Sequence, residues 1–217
     1  MLWRHARNGL AALAVLSILA LTGVLLTAAR RPAWYQPRSV DHARLASDKA
    51  AAFGAVDEIS AALNARQPVE VSLDEAQVNR WLAARCEIWP DAELARLAPL
   101  ERPLVRMLPD GTLRVAATVE AGEWRGVLAL TFRFEATGDE LVIHWTGVQI
   151  GALAVPRHWV SGAIDRFVPS QAAPLRAFDR GVSRIPNRWI WPNGRRDFRI
   201  ERLEVRAGET FIRLAPL

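Results

Sequence analysis

The chain is poor in cysteine, lysine and tyrosine, and in the motifs of catalysis. Cys86 is the one cysteine in 217 residues, so no intrachain disulfide can form, and that count suits any redox compartment. Of 28 basic residues only Lys49 is a lysine, so guanidinium carries nearly all the positive charge. The histidines are His5, His42, His144 and His158, and none has a His or Cys three or four residues away, as a zinc site would use. There is no G-x-x-x-x-G-K-[ST] and no G-x-G-x-x-G, so nucleotide binding has no motif behind it. His158, Ser161 and Asp165 fall within one expected helix, without a G-x-S-x-G elbow, and helix neighbours rarely give nucleophile–base geometry. The reading is therefore no enzyme, no metal and no cofactor. Cys86 has no histidine nearby in sequence to activate it and reads as a packed or idle thiol.

What the chain has is apolar mass, tryptophan and arginine. With 51% hydrophobic and 24% charged residues it is a globular composition, which excludes wholesale disorder. Nine Trp stand against one Tyr and two Met, and bulky aromatics both fill cores and favour wet apolar boundaries. The net charge of +5 is uneven: from Arg176 to Arg213 ten arginines face five acids, leaving the remainder near neutral.

Gly9 to Ala29 holds no charged residue, and at 1.5 Å per residue it reaches roughly 30 Å, the thickness of a bilayer core. Trp3 precedes it and Trp34-Tyr35 follow, where interfacial aromatics belong. A cleaved signal peptide is the rival reading, but Thr27-Ala28-Ala29 is a poor cleavage site and two arginines follow at once. The expectation is an uncleaved anchor over 1–30. Arginines flank both ends, and the very short N-terminal arm favours export of the globular part, here across a bacterial inner membrane. A connector over 31–41 and a single α+β globular domain over 42–217 would follow.

Asp41 or Ser39 can cap a helix running to about Arg66, with Leu45, Phe53, Val56, Ile59 and Leu63 as an apolar stripe that would dock on the sheet. Pro68 to Val71 reads as extended. Ser72-Leu73-Asp74-Glu75 has the spacing of a capping box, opening a helix to about Arg85 that carries Leu73, Val78, Trp81 and Leu82 on one side.

Pro103 to Pro156 is the centre of the fold. Pro109-Asp110-Gly111, Ala121-Gly122 and Thr137-Gly138-Asp139 punctuate long β-type runs with residues that suit tight turns. Leu113, Val115, Ala117 and Val119 share one face of their run. Leu128, Leu130, Phe132 and Phe134 do so in the next, opposed by Thr131, Arg133 and Glu135, which predicts a sheet with one wet face. In Leu141–Ile150 the apolar residues fall on both faces, with Leu141, Ile143 and Trp145 set against Val142 and Val148. His144 in this strand reads as a hydrogen-bonded wall residue. A helix opening at Pro156 would carry Trp159, Ala163, Ile164 and Phe167. A further helix from Pro174 to Ile185 would ladder Arg176, Arg180 and Arg184 along one side. That ladder reads either as a solvated face or, with Trp189 and Trp191 of the next loop, as a strip for phospholipid head groups. A hairpin from Phe198 to Leu214, turning at Ala207-Gly208, closes the chain.

Two stretches carry a family resemblance. Val71-Ser72-Leu73-Asp74-Glu75-Ala76-Gln77-Val78-Asn79-Arg80-Trp81-Leu82 resembles the Asn-containing helix of YpmS-type single-pass bacterial membrane proteins, and Val148 to Pro156 is similar to the Gly/Pro corner that ends their sheet. More distantly the architecture resembles LmeA-like, TULIP-type lipid-binding folds. The resemblance implies an α+β chain in which an N-terminal transmembrane helix precedes a long curved antiparallel β-meander packed with amphipathic helices, half-tubular around an apolar channel. The expected function is a membrane-anchored envelope domain that binds or shuttles lipid. Leu128, Leu130, Phe132, Phe134, Ile143, Trp145 and Trp159 would line the groove, with Arg176, Arg180, Arg184, Trp189 and Trp191 at the head groups. The expected partner is membrane lipid and not nucleic acid. The alternative is a structural subunit that docks an envelope protein on the same face.

Overall fold

The computed structural model describes residues 17, 19, 22–90, 101–121, 124–158, 180–192 and 196–217. The chain is helical over 22–29 (α1) and continues through α2 (Leu45–Asn64), β1 (Val69–Asp74), α3 (Glu75–Ala83) and α4 (Arg85–Ile88). Strands β2 (Glu101–Met107), β3 (Leu113–Ala121), β4 (Trp124–Thr137) and β5 (Glu140–Ile150) form the meander, followed by the short β6 (Leu153–Ala154). Then come β7 (Val182–Pro186), β8 (Trp189–Ile190), β9 (Asp197–Arg206) and β10 (Glu209–Pro216). The architecture is α+β, with a large antiparallel sheet and few helices.

The large sheet runs β2-β3-β4-β5-β6, with β7 also on β5, and the small sheet runs β1-β10-β9-β8. Turn chemistry sets the meander where the sequence predicted it. Asp110 Oδ1 accepts from Thr112 N at 3.0 Å and from Thr112 Oγ1 at 2.6 Å, folding the chain between β2 and β3. Thr137 pairs with Glu140 across Gly138-Asp139, and Arg206 with Glu209 across Ala207-Gly208.

The free edge of β2 is closed by α3. Asn79 Nδ2 donates to Val105 O and its Oδ1 accepts from Val105 N, both at 2.8 Å, so one buried side chain acts as a one-residue strand. One turn earlier Glu75 Oε2 accepts from Met107 N at 2.6 Å, and its other oxygen lies 3.0 Å from Arg106 Nε. Gly208 N donates to Met107 O while Gly208 O accepts from Glu75 N, which ties in the small sheet's hairpin. Val78 and Leu82 of α3 then pack with Val105, Met107, Leu203 and Val205 between the two sheets. The expected capping box does not form. Ser72 belongs to β1 and bonds Glu209, and Asp74 caps α3 through Gln77 N at 2.9 Å. Glu75 is drawn to the unpaired amide of β2 instead.

Helix α2 lies on α3 and α4 and touches β1 of the small sheet, rather than lying on the large sheet. Ala52 and Leu63 are its buried residues; Ala52 meets Ala84, Ile88, Trp81 and Trp89, whereas Phe53 and Val56 of the expected stripe are 40% and 37% exposed. An alanine allows close approach to the two tryptophans, which stand edge to face at 6.4 Å, and Arg80 Nε reaches Asp48 Oδ1 at 3.0 Å across the same joint.

The wet face of the large sheet is covered at one end by the connector. Tyr35 is buried on Leu104, Ala116, Val127 and Ala129, and its hydroxyl donates to Arg102 O at 2.7 Å. It is core here and not an interfacial aromatic. A second correction concerns β5. The register slips between Thr131 and Phe132, so Thr131 opposes Gly147 while Phe132 opposes Trp145. The extra residue, Thr146, turns Val148 onto the face of Trp145, where the two share one cluster. Third, residues 182–186 form a strand and not the end of a helix, because β5 offers an open edge to Val182, Ser183 and Ile185.

The expected anchor lies mostly outside the described residues, as do Trp159, the helix after Pro156 and Arg176. Among the described residues no helix is long and apolar enough to cross a membrane. The described part of that stretch leaves Leu19, Val24, Leu25 and Leu26 between 42% and 62% exposed.

Two outcomes follow. Asn79→Ala leaves both polar groups of Val105 buried and unpaired, and should cost about 2–4 kcal/mol in urea denaturation; a loss under about 1 kcal/mol would overturn the edge-sealing account. Both Thr112 hydrogen bonds, the hydroxyl's first, hold the Asp110 carboxyl below the usual carboxylate range. Its contribution is therefore full at neutral pH and lost as pH falls through that lowered value. The Tm gap between wild type and Asp110→Ala should close in acid; a gap that widens on acidification contradicts this.

Candidate functional site

The register places Leu128, Leu130, Phe132 and Phe134 of β4 opposite Ile150, Val148, Trp145 and Ile143 of β5, so these side chains share one face. The aromatic rings interlock, with Phe132 5.2 Å from Phe134 and 5.5 Å from Trp145, both edge to face. Trp145 is buried, while Leu128, Leu130, Phe132, Phe134 and Ile143 are half-buried. Leu203 and Val205 of the small sheet pack with Val105, Met107, Leu113 and Val115 on this face, and β9 also lies against β4.

Trp145 is held from several sides. Its indole Nε1 donates to Ser183 Oγ at 2.8 Å, its backbone N to Gly181 O at 2.9 Å, and Arg157 Nη1 donates to its carbonyl at 2.7 Å. Gly181 has φ +80°, a backbone that favours glycine, and a Cβ there would displace the Arg157 guanidinium, 2.1 Å away. The Gly151 corner closes the other end of β5. Gly151 N donates to Val127 O at 2.7 Å, Ala152 N to Thr27 O at 3.1 Å, and a Gly151 Cβ would fall 2.0 Å from Ala28 O. The last carbonyls of α1 are therefore seated on this corner.

Of the expected head-group residues Arg184, Trp189 and Trp191 do not join that face, and Arg176 lies outside the described residues. Arg184 opposes Val142, so it points to the opposite side of the sheet from Ile143, and it bonds Glu140 at 2.9 Å. Arg180 is exposed beside β7. Trp189 Nε1 donates to Asn187 Oδ1 at 3.2 Å, and Trp191 Nε1 donates to Ser60 Oγ of α2 at 2.8 Å while its ring meets Phe198. Between them Ile190 is 66% exposed. Asn187 N donates to Asp139 O, which sets this loop at the Gly138 turn, at the far end of β5 from α1. An eleven-residue strand separates the two ends by roughly 30 Å.

Asn187 was not singled out by the sequence. It is buried and repeats the device of Asn79, donating to Ile200 O at 2.7 Å and accepting from Ile200 N at 2.9 Å on the edge of β9. His144 lies on the side away from Trp145, 3.2 Å from Glu135 Oε2. Among the described residues no group of three or more His, Cys, Asp or Glu could hold a metal ion. No family model, curated protein or solved structure matches the chain.

The face is thus one deep anchor with a shallower apolar apron. Trp145→Ala should cost about 3–5 kcal/mol, and Phe134→Ala, on a half-buried ring, about half of that or less. Equal costs in chemical denaturation would mean the apron is core.

Proposed function

We propose that the chain is a membrane-anchored cell-envelope domain that binds or shuttles lipid along the apolar face of its large sheet. The observation that carries the reading is the half-buried row of Leu128, Leu130, Phe132, Phe134 and Ile143 beside the buried Trp145. From Leu128 to Phe134 that row runs roughly 20 Å, a length that suits an acyl tail. Each buried methylene is worth about 0.8 kcal/mol, so a tail of a dozen carbons can bind without a polar contact. The exposed apolar residues of α1 and its charge-free upstream sequence support an anchor in a bacterial inner membrane. The resemblance to YpmS-type and LmeA-like proteins supports a half-tubular closure.

Docking of an envelope protein is the second reading. Phe53, Val56 and Ile190, exposed away from the groove, favour it.

Native mass spectrometry of the detergent-purified full-length chain separates the two. The wild type should carry lipid, and Phe132→Asp should lower its retention at least roughly tenfold. If the wild type holds no lipid even after phosphatidylglycerol is added, and crosslinking recovers one stoichiometric protein partner, the docking reading replaces this one.

A further inference from the structure

We infer that the chain binds a phosphate-bearing lipid head group in a small basic pocket beneath the end of α1. The pocket has a volume of about 190 Å³ and is lined by Ala29, Arg31, Tyr35, Arg102, Thr118, Arg125, Gly126 and Val127. Three arginines and no acidic residue line it. Planar guanidinium forks match the oxygens of a phosphate better than a point charge does.

Each arginine has donor capacity left. Arg31 gives Nε to Tyr35 O at 2.9 Å and stacks its guanidinium 5.1 Å from that ring, which fixes the side chain while its terminal nitrogens stay available. Arg125 places Nη2 2.5 Å from Glu101 and Nε 3.3 Å from Glu120, which leaves Nη1 as its remaining donor nitrogen. The Arg102 side chain donates to no partner among the described residues, although its carbonyl accepts from Tyr35.

Arg102 also has an unusual backbone. Its φ is +51°, in the left-handed region that a non-glycine residue before a proline avoids. The register slip between Glu101 and Leu104 accommodates it. Strain of this kind concentrates at functional positions. A glycine would serve the turn better, so the arginine is there at a cost to the fold.

The choice of ligand follows from Ala29. The same residue that walls the pocket ends α1, whose Val24, Leu25 and Leu26 are exposed. With α1 in a bilayer, the pocket lies at head-group depth, where anionic phosphates are concentrated. The inference rests on the membrane reading and supplies its polar end. It does not require the groove, which lies on the opposite face of the sheet from Tyr35 and Val127.

The test uses the full-length chain in detergent micelles, with three probes: phosphatidylglycerol, diacylglycerol of the same acyl chains, and inorganic phosphate. Native mass spectrometry should find phosphatidylglycerol retained roughly tenfold over diacylglycerol. Arg102→Gln should abolish that preference with Tm unchanged. Arg102→Gly should abolish it while raising Tm by a few degrees, since the left-handed backbone is relieved. An unchanged preference in both variants overturns the pocket, as does a Tm that falls together with retention, which would mark Arg102 as merely structural. Inorganic phosphate binding as tightly as phosphatidylglycerol overturns the head-group source and leaves a free-phosphate site. Phe132→Asp, on the opposite face, should lower diacylglycerol retention and leave the charge-dependent binding of phosphatidylglycerol in place. If it has no effect while Arg102→Gln removes the preference, the groove fails and the pocket stands; the reverse pattern leaves the groove and removes the pocket.

Discussion

An open β-sheet presents two rows of backbone amides and carbonyls at its edges, and a buried edge is tolerated only when those groups are paired. In this chain side-chain amides and a carboxylate do that pairing. Asn79 takes both polar groups of Val105, Glu75 takes Met107 N, and Gly208 takes Met107 O, so α3 and the last hairpin meet on one strand edge. Asn187 repeats the arrangement on Ile200 of the small sheet. The free side of β5 is taken up by β7, β6 and the Gly181 and Val155 backbone contacts. Its one-residue register slip then decides which side chains face which way.

The remaining packing follows from that closure. Because α3 is drawn to the edge of β2, its Trp81 side is left for α2, and α2 stacks on helices instead of roofing the sheet. The small sheet packs on β2 and β3 through Val205 and its β9 also meets β4, and the apolar apron on β4 and β5 stays half-buried. On the opposite face Tyr35 and the small residues Ala116 and Ala129 close the anchor end. The pocket of Arg31, Arg102 and Arg125 is a by-product of that closure, since it forms where the connector crosses the sheet.

The two ends of β5 are chemically unlike. One end receives α1 on the Gly151 corner, beside three arginines; the other carries the Trp189–Trp191 loop, whose indoles are bonded inward to Asn187 and Ser60. Arg184 lies on the face opposite the apron, and so does the arginine pocket, which sits with Tyr35 and Val127 beneath α1.

Alternation and turn chemistry are local, and they determined most of the fold by themselves. Leu128 to Phe134 on one face, the turns at Asp110, Gly138 and Gly208, and the helix holding Asn79 are all legible because period two, period 3.6 and turn propensity act between near neighbours. Tertiary structure alone decided what neighbours in sequence do not encode. Val148 changed face because a slip of one residue inverts the alternation beyond it. Residues 182–186 became a strand because β5 had an edge to pair, although Arg180 and Arg184 sit at helical spacing. Ser72 and Glu75 left their capping box for partners on β10 and β2. The three arginines of the pocket are far apart in the chain, and only a sheet with Tyr35 across it brings guanidiniums from three segments to one point.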